Sequence, residues 1–340
     1  MDQDFLVWGA GAVGGAVGAA LAQAGHSVGF VDQDPDHVAA IRDPGRGLVV
    51  TGPVRNDRAS APAWGPDDVP AGWRRVLLCV KAQDTAAAVA ALAPRLADGG
   101  FVVSLQNGLC EDIIAERLGV ARTVGGFVNF AADWLGPGQI AYGNRGALAV
   151  GELDGRPSRR VHELRQALTA FEPNALATDN IRGFLWGKLA YAALLYAQAL
   201  GVSGIADCWR REDLDDLFIR LVQEVLGVAE AEGVSPVGFN GFSPELFRAQ
   251  APRELLRANI RAMATAYDGS TKTHSGVWRD LAVRRRRTEV DEHLGRVIAI
   301  GRRRGLACPT LERLVAMIHE IENGARPLSD ANLLVLARAG

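Results

Sequence analysis

The chain has 340 residues, of which 48% are hydrophobic and 22% charged, with a formal net charge of −2. This composition excludes a disordered or fibrous chain, and at roughly 100–200 residues per domain the length implies two or three domains. The near-neutral charge removes the sequence-wide case for a nucleic-acid or anionic-membrane partner.

The start, Met1-Asp2-Gln3-Asp4, is acidic where a signal peptide has a basic region, so a cytoplasmic protein is expected. The first half then alternates strands and helices. Strands are predicted at Phe5–Gly9, Ser27–Val31, Arg75–Val80 and Phe101–Leu105. Helices are predicted at Val13–Ala24, Pro35–Ile41, Asp84–Leu96 and Cys110–Leu118, with a small hairpin near Leu48–Val50. Strands near Val124–Asn129, Gly138–Tyr142 and Ala147–Gly151 and a helix at Pro157–Phe171 complete this half. Such alternation predicts a parallel, doubly wound α/β sheet. Behind it, apolar residues recur at helical spacing over Gly183–Ala199, Asp213–Glu232, Ser243–Ala266, Thr273–Arg304 and Thr310–Asn323. The expected domains are therefore 1–180, a Rossmann-type sheet, and 181–340, all-helical.

The longest uncharged run, Leu189–Ala206, contains Gln198, Ser203 and two glycines and reads as a buried helix, so no membrane span is expected. Cys79, Cys110, Cys208 and Cys308 lie far apart with no CxxC, which suits reduced thiols. No two of the six histidines sit at i, i+3 or i, i+4, so no metal is expected. The arginine runs Arg284–Arg287 and Arg302–Arg304 have acids nearby and no interleaved aromatics; they read as a solvated helix face, not a nucleic-acid site.

Between the first strand and helix lies Gly9-Ala10-Gly11-Ala12-Val13-Gly14, a G-x-G-x-x-G in the strand–helix context a dinucleotide fold requires. The first glycine permits the tight turn, the second lets a pyrophosphate approach the backbone, and the third lets helix and strand pack closely. The helix N-terminus offers amides and a positive dipole end to phosphates. Asp32 closes the second strand, where an acid accepts bonds from the adenosine ribose hydroxyls and repels a 2′-phosphate, favouring NAD over NADP. Either Asp32 or Asp34 can instead cap the helix at Pro35.

Of the 37 basic residues only three are lysines: Lys81, Lys188 and Lys272. Arginine is never a proton donor at ordinary pH and lysine can be, so each lysine is a candidate for chemistry. Lys188 sits between the apolar Trp186 and Leu189. Where a reaction builds negative charge on an oxygen, an ammonium can both stabilise and protonate it. Lys81 and Asn107 follow successive strands at the carboxyl edge, where α/β ligands bind.

Several segments together resemble the ketopantoate reductase family, as far as about Leu314: Gly9–Gly14, Val80–Thr85, Ser104–Leu109, Val150–Gly155, Leu185–Leu189 and Arg287–Asp291. The resemblance implies a Rossmann domain, a helical domain, an active site in the cleft between them, a homodimer, and NAD(P)H-dependent reduction of a 2-oxo acid. It places the catalytic lysine on Lys188, a substrate- or lysine-contacting acid on Glu289, and cofactor and substrate contacts on Lys81 and Asn107. The same resemblance implies that Ser275 and Asp280 belong to the substrate pocket.

Three departures point to a divergent member with a different substrate. Asparagines that the family often carries four and eight residues after the lysine are Ala192 and Tyr196 here, which suits a larger or less polar substrate. Asp32 stands where NADP-using members have a basic residue. An extra residue falls within Trp278–Thr288, which in a continuous helix rotates the later residues by about 100° unless a bulge absorbs it. Two other functions are compatible with the same residues: NAD-dependent oxidation of a hydroxy acid or secondary alcohol, and a non-catalytic NAD(H)-sensing regulator.

Overall fold

A computed structural model describes residues 4–247, 251–268 and 273–338. The chain divides into two compact units, Met1–Ile181 and Arg182–Gly340.

The first unit is built on one sheet. Its strands are β1 (Phe5–Trp8), β2 (Val28–Val31), β3 (Leu48–Thr51), β4 (Asp57–Ala59), β5 (Ala63–Trp64), β6 (Trp73–Leu78), β7 (Leu96–Ser104), β8 (Thr123–Gly136), β9 (Gln139–Glu152) and β10 (Leu176–Ala177). The path across it is β4-β3-β9-β8-β7-β6-β1-β2-β5, and β10 pairs with β9. From β5 to β8 every neighbour is parallel. That stretch has the strand order of a dinucleotide-binding sheet, reversing direction at β1. All four residues of β1 and of β2 are buried, as strands covered on both faces must be.

The covering helices are α1 (Ala12–Gln23), α2 (Pro35–Arg42), α3 (Thr85–Leu92), α4 (Glu111–Leu118) and α5 (Arg159–Leu168). Two apolar cores result, one around Val7, Phe30 and Leu77 and one around Leu6, Val76 and Val102. Neighbouring residues of one strand thus feed opposite layers, as the period of two demands.

One expectation fails in this unit. Gly138–Tyr142 and Ala147–Gly151 are not separate strands but parts of β9, which runs antiparallel to β8 over the length of both. Register shifts between Asn129 and Ala132 absorb the glycines and polar residues that look like a break.

The second unit carries α6 (Ile181–Gln198, whose first residue closes the first unit), α7 (Ile205–Trp209), α8 (Asp215–Ala231), α9 (Arg253–Thr265), α10 (Gly276–Ala282), α11 (Arg296–Arg303), α12 (Pro309–Glu322) and α13 (Ala331–Ala337). Two long helices predicted here are interrupted. Ser243–Ala266 contains a short 3₁₀ turn, Pro244–Phe247, and α9 begins only after Pro252, which has no amide to give a helix interior. Thr273–Arg304 breaks after α10. Arg285 is left-handed (φ 49°), and the amide of Arg286 turns back to the carbonyl of Asp280 at 3.0 Å. Helix resumes through a π-helical turn, Asp291–Gly295, that leads into α11. Between α10 and α11 the chain thus runs through a break and a wide turn, not one continuous helix. Arg284–Arg287 are exposed, as expected, but lie on this non-helical link and not on a helix face.

Candidate active site

At the carboxyl edge of the first unit's sheet, the three glycines of the turn behave differently. Gly9 is left-handed (φ 97°), and an added Cβ would lie 2.8 Å from the amide nitrogen of Val80. At Gly14 it would lie 2.1 Å from the carbonyl oxygen of Gly9, so only glycine lets α1 seat on the turn. Gly11 has an ordinary φ of −66°, and an added Cβ there meets nothing within 4 Å. Neither conformation nor packing calls for glycine at this position. A ligand that needs the space above the backbone does, and a pyrophosphate is such a ligand. Ala12 and Val13 open α1, and Gly11 provides no side-chain cap for their amides, which leaves them to an anion.

Asp32 lies beside this turn. Its Oδ2 accepts from the amide of Ala10 at 3.0 Å and its Oδ1 from the amide of Asp34 at 3.1 Å. Capping of α2 falls to Asp34, which accepts from the amides of Asp36 and His37. Asp32 is therefore held by backbone, with lone pairs on both oxygens left over for ribose hydroxyls. His37, which no sequence motif singles out, braces the turn from beneath. Its Nδ1 accepts from the amide of Gly138 at 2.8 Å, so Nε2 carries the proton and donates to the carbonyl of Ala10 at 2.9 Å.

Lys81 is exposed just beyond β6, and Asn107 is half-buried just beyond β7, before the left-handed Gly108. A second unforeseen residue joins their segments. The buried Gln106 donates through Nε2 to the carbonyl of Val80 at 3.0 Å and to Oγ1 of Thr85 at 2.8 Å. One amide thus sets the spacing between the ends of β6 and β7.

In the second unit, α6 is buried except at Arg182, near its start, and along a strip. Phe184, Lys188, Ala192 and Leu195 are half-buried, while Trp186 and Leu189 are buried. Spacings of four, four and three residues put the strip on one face. The rotation of α6 is set by its glycines. The amide of Val237 donates to the carbonyl of Gly183 at 2.9 Å, and a Cβ on Gly187 would lie 2.1 Å from the carbonyl oxygen of Val237. Because that backbone presses on Gly187, the next residue, Lys188, is turned onto the open strip.

Tyr196, expected as a pocket residue, is 1% exposed, and its hydroxyl bonds to Nδ1 of His293 at 3.0 Å. Burial, reinforced by the charges of Glu289, Asp280, Glu322 and Asp291, pushes this phenol well above its ordinary range. The hydroxyl therefore stays protonated. The buried Ser275 caps α10, accepting from the amide of Trp278 at 3.0 Å. The buried Asp280 accepts from Arg284 and Arg286, each at 3.0 Å. Both have structural work, so only Lys188, Ala192 and Glu289 of the second unit's candidates are left partly open. Lys272 lies outside the described residues. None of the four cysteines is in a disulfide. Among the described residues no His/Cys/Asp/Glu group could hold a metal ion, and no helix is long and apolar enough to cross a membrane.

Comparison with known proteins adds an independent line. The family model for ketopantoate reductase PanE/ApbA matches residues 5–155, and the model for its C-terminal part matches residues 180–322. A 2-dehydropantoate 2-reductase of Halobacterium salinarum is 28% identical over 92% of this chain and 97% of its own length. That of Archaeoglobus fulgidus is 26% identical over 95% and 99%. A PanE/ApbA family ketopantoate reductase from Ralstonia eutropha gives a TM-score of 0.79 at 28% identity, covering 94% of this chain and 99% of that one. D-mandelate dehydrogenase, solved with NADH and anilino(oxo)acetate, gives 0.80 at 21% identity over 94% and 99%, a likeness of fold.

The contrast between two glycines is directly testable. Gly14→Ala forces a Cβ against the carbonyl of Gly9 and is expected to cost about 1–3 kcal/mol of stability in urea unfolding. Gly11→Ala is expected to leave stability within about 0.5 kcal/mol while weakening NAD(P)H binding, read by fluorescence titration, by about tenfold or more. Unchanged NAD(P)H affinity in Gly11→Ala would contradict the assignment of the open space.

Proposed function

Because this chain belongs to the ketopantoate reductase family of NAD(P)-dependent oxidoreductases, we propose that it reduces a 2-oxo acid of less polar character than ketopantoate, preferring NADH, with Lys188 as proton donor. What carries the reading is the open strip of α6, where one ammonium, Lys188, stands among the apolar Phe184, Ala192 and Leu195. A strip of that composition supports one charged step beside an apolar substituent. The bound reduced nicotinamide supplies the hydride; the remaining requirements fall on side chains.

As hydride adds to the carbonyl carbon, the π electrons move to oxygen. The ammonium of Lys188 stabilises that charge and passes one proton to it, leaving a neutral amine and a 2-hydroxy acid. A guanidinium could provide the first service but not the second. Glu289 holds the substrate or the lysine, and Lys81 with Asn107 holds the nicotinamide end and the substrate carboxylate. Gly11 and the first amides of α1 receive the pyrophosphate, and Asp32 receives the ribose hydroxyls. A ribose 2′-phosphate would bring like charge against Asp32, which supports NADH over NADPH. Tyr196 is turned to His293 at the position of an expected substrate amide, and Ala192 presents only a methyl group. Both changes reduce the polarity available to the substrate.

Lys188→Ala is expected to lower kcat by about 10²–10⁴-fold, with the NADH dissociation constant unchanged within about twofold. A variant that keeps its rate overturns the assignment. Asp32→Ala is expected to raise the NADPH-to-NADH ratio of kcat/KM by about tenfold, the loss of one bond to a charged acceptor together with removal of the repulsion. An unchanged ratio counts against Asp32 as the selector.

A further inference from the structure

Glu289 lies within Thr288–Asp291, and α12 grips that segment on both sides of it. The Glu322 side chain is 3% exposed. Its Oε1 accepts from the amide of Thr288 at 2.7 Å and from the hydroxyl of Thr288 at 2.8 Å. Its Oε2 meets Nδ1 of His319 at 2.9 Å, and Nε2 of the same ring meets Oδ1 of Asp291 at 3.0 Å. Thr288, Glu322, His319 and Asp291 thus form a closed loop of contacts around Glu289 and Val290. The Thr288 hydroxyl oxygen in turn accepts from the amide of Val290 at 3.3 Å, which pins the backbone across Glu289 itself.

Both ring nitrogens of His319 face carboxylates, and only the imidazolium can donate to both. Burial alone would favour the neutral ring, but the hydrogen bonds and charges of Glu322 and Asp291 outweigh it and raise the His319 pKa. The cation also offsets the cost of sinking the Glu322 carboxylate so deeply. The need for such a grip comes from the chain before it. Residues 283–287 carry no helix and are exposed; Arg284 and Arg286 tie this link back to Asp280, and α12 takes hold of the chain again at Thr288, next to Glu289.

We propose that Glu322 and His319 are positioning residues that aim the Glu289 carboxylate at its target. The proposal rests on the reading of Glu289 as an acid that contacts the substrate or the lysine. Neither Glu322 nor His319 touches the reacting atoms; each acts through Thr288 or Asp291. Glu289 is a short distance along the backbone from both anchors, so releasing either lets the carboxylate swing by an ångström or more. A displacement of that size costs up to about a hundredfold in rate.

The test compares Glu322→Ala, Glu322→Gln, His319→Gln, Glu289→Gln and the Glu322→Ala/Glu289→Gln double variant. The probe is whichever of pyruvate, phenylpyruvate, ketoisocaproate and ketopantoate the wild-type enzyme reduces fastest with NADH. Glu322→Ala and His319→Gln are expected to lower kcat/KM for the oxo acid by about tenfold or more, with NADH affinity unchanged within about twofold. Glu322→Gln keeps an oxygen for Thr288 and is expected to recover most of the rate. The double variant is expected to be no slower than Glu289→Gln, because an absent carboxylate cannot be misaimed. If Glu289→Gln is slow while His319→Gln and Glu322→Ala match wild type, or if the losses multiply in the double variant, the positioning role is overturned and the reading of Glu289 stands. If Glu289→Gln itself matches wild type, that reading fails and the positioning role fails with it. Should Glu322→Ala not fold, the more exposed His319→Gln and its double with Glu289→Gln decide between the same outcomes.

Discussion

Everything the first unit offers to a ligand depends on how closely α1 approaches the end of β1. A single methyl group at Gly14 would collide with the carbonyl of Gly9 at 2.1 Å. With no side chain there, the helix N-terminus arrives at the crevice where β1 is flanked by β2 and β6, the point at which the sheet reverses its strand order. The left-handed Gly9 turns the chain toward it, and the space over Gly11 stays clear. Asp32 and His37 then hold the peptide of Ala10 from two sides, one at its amide and one at its carbonyl. The turn is rigid because both polar groups of one residue are bound. A preorganised turn of this kind loses little freedom when a phosphate takes up the remaining amides.

The second unit uses the same device for another purpose. Backbone packed against Gly183 and Gly187 fixes the rotation of α6, and that rotation puts Lys188 on the open strip. After α10, Arg284 and Arg286 pair with the buried Asp280, and the charges of Asp280, Glu289, Asp291 and Glu322 raise the Tyr196 pKa. The Tyr196 hydroxyl is spent on a buried bond to His293, while the half-buried residues around Lys188 on α6, Phe184, Ala192 and Leu195, are apolar.

The doubly wound α/β class of the first half, the glycine turn and the helical second half were legible in the sequence because each leaves a local pattern: alternation of elements, glycine spacing, apolar periodicity. What was hidden depends on contacts between distant positions. The bond from Gly138 to His37 has no trace near either residue, and neither does the bond from Thr288 to Glu322. The break after α10 was obscured for a different reason. Arg284–Arg287 have good helix propensity, and a left-handed arginine is not a pattern that composition announces. The choice between Asp32 and Asp34 as a cap was open by spacing alone. It was settled by which carboxylate reaches the amides of Asp36 and His37. Lys188 stands out in the sequence by its type, as one of three lysines among 37 basic residues, but its place on the half-buried strip depends on Gly187, which acts through the distant Val237.

In the proposed reaction Lys188 gives up a proton and does not merely hold a charge. Lys188→Arg separates the two, since guanidinium keeps the positive charge and cannot release a proton at ordinary pH. The decisive measurement is kcat for 2-oxo acid reduction by this variant, alongside its NADH dissociation constant. If Lys188 is the proton donor, kcat falls by about a hundredfold or more with NADH affinity intact. A Lys188→Arg enzyme that turns over at close to the wild-type rate would contradict it.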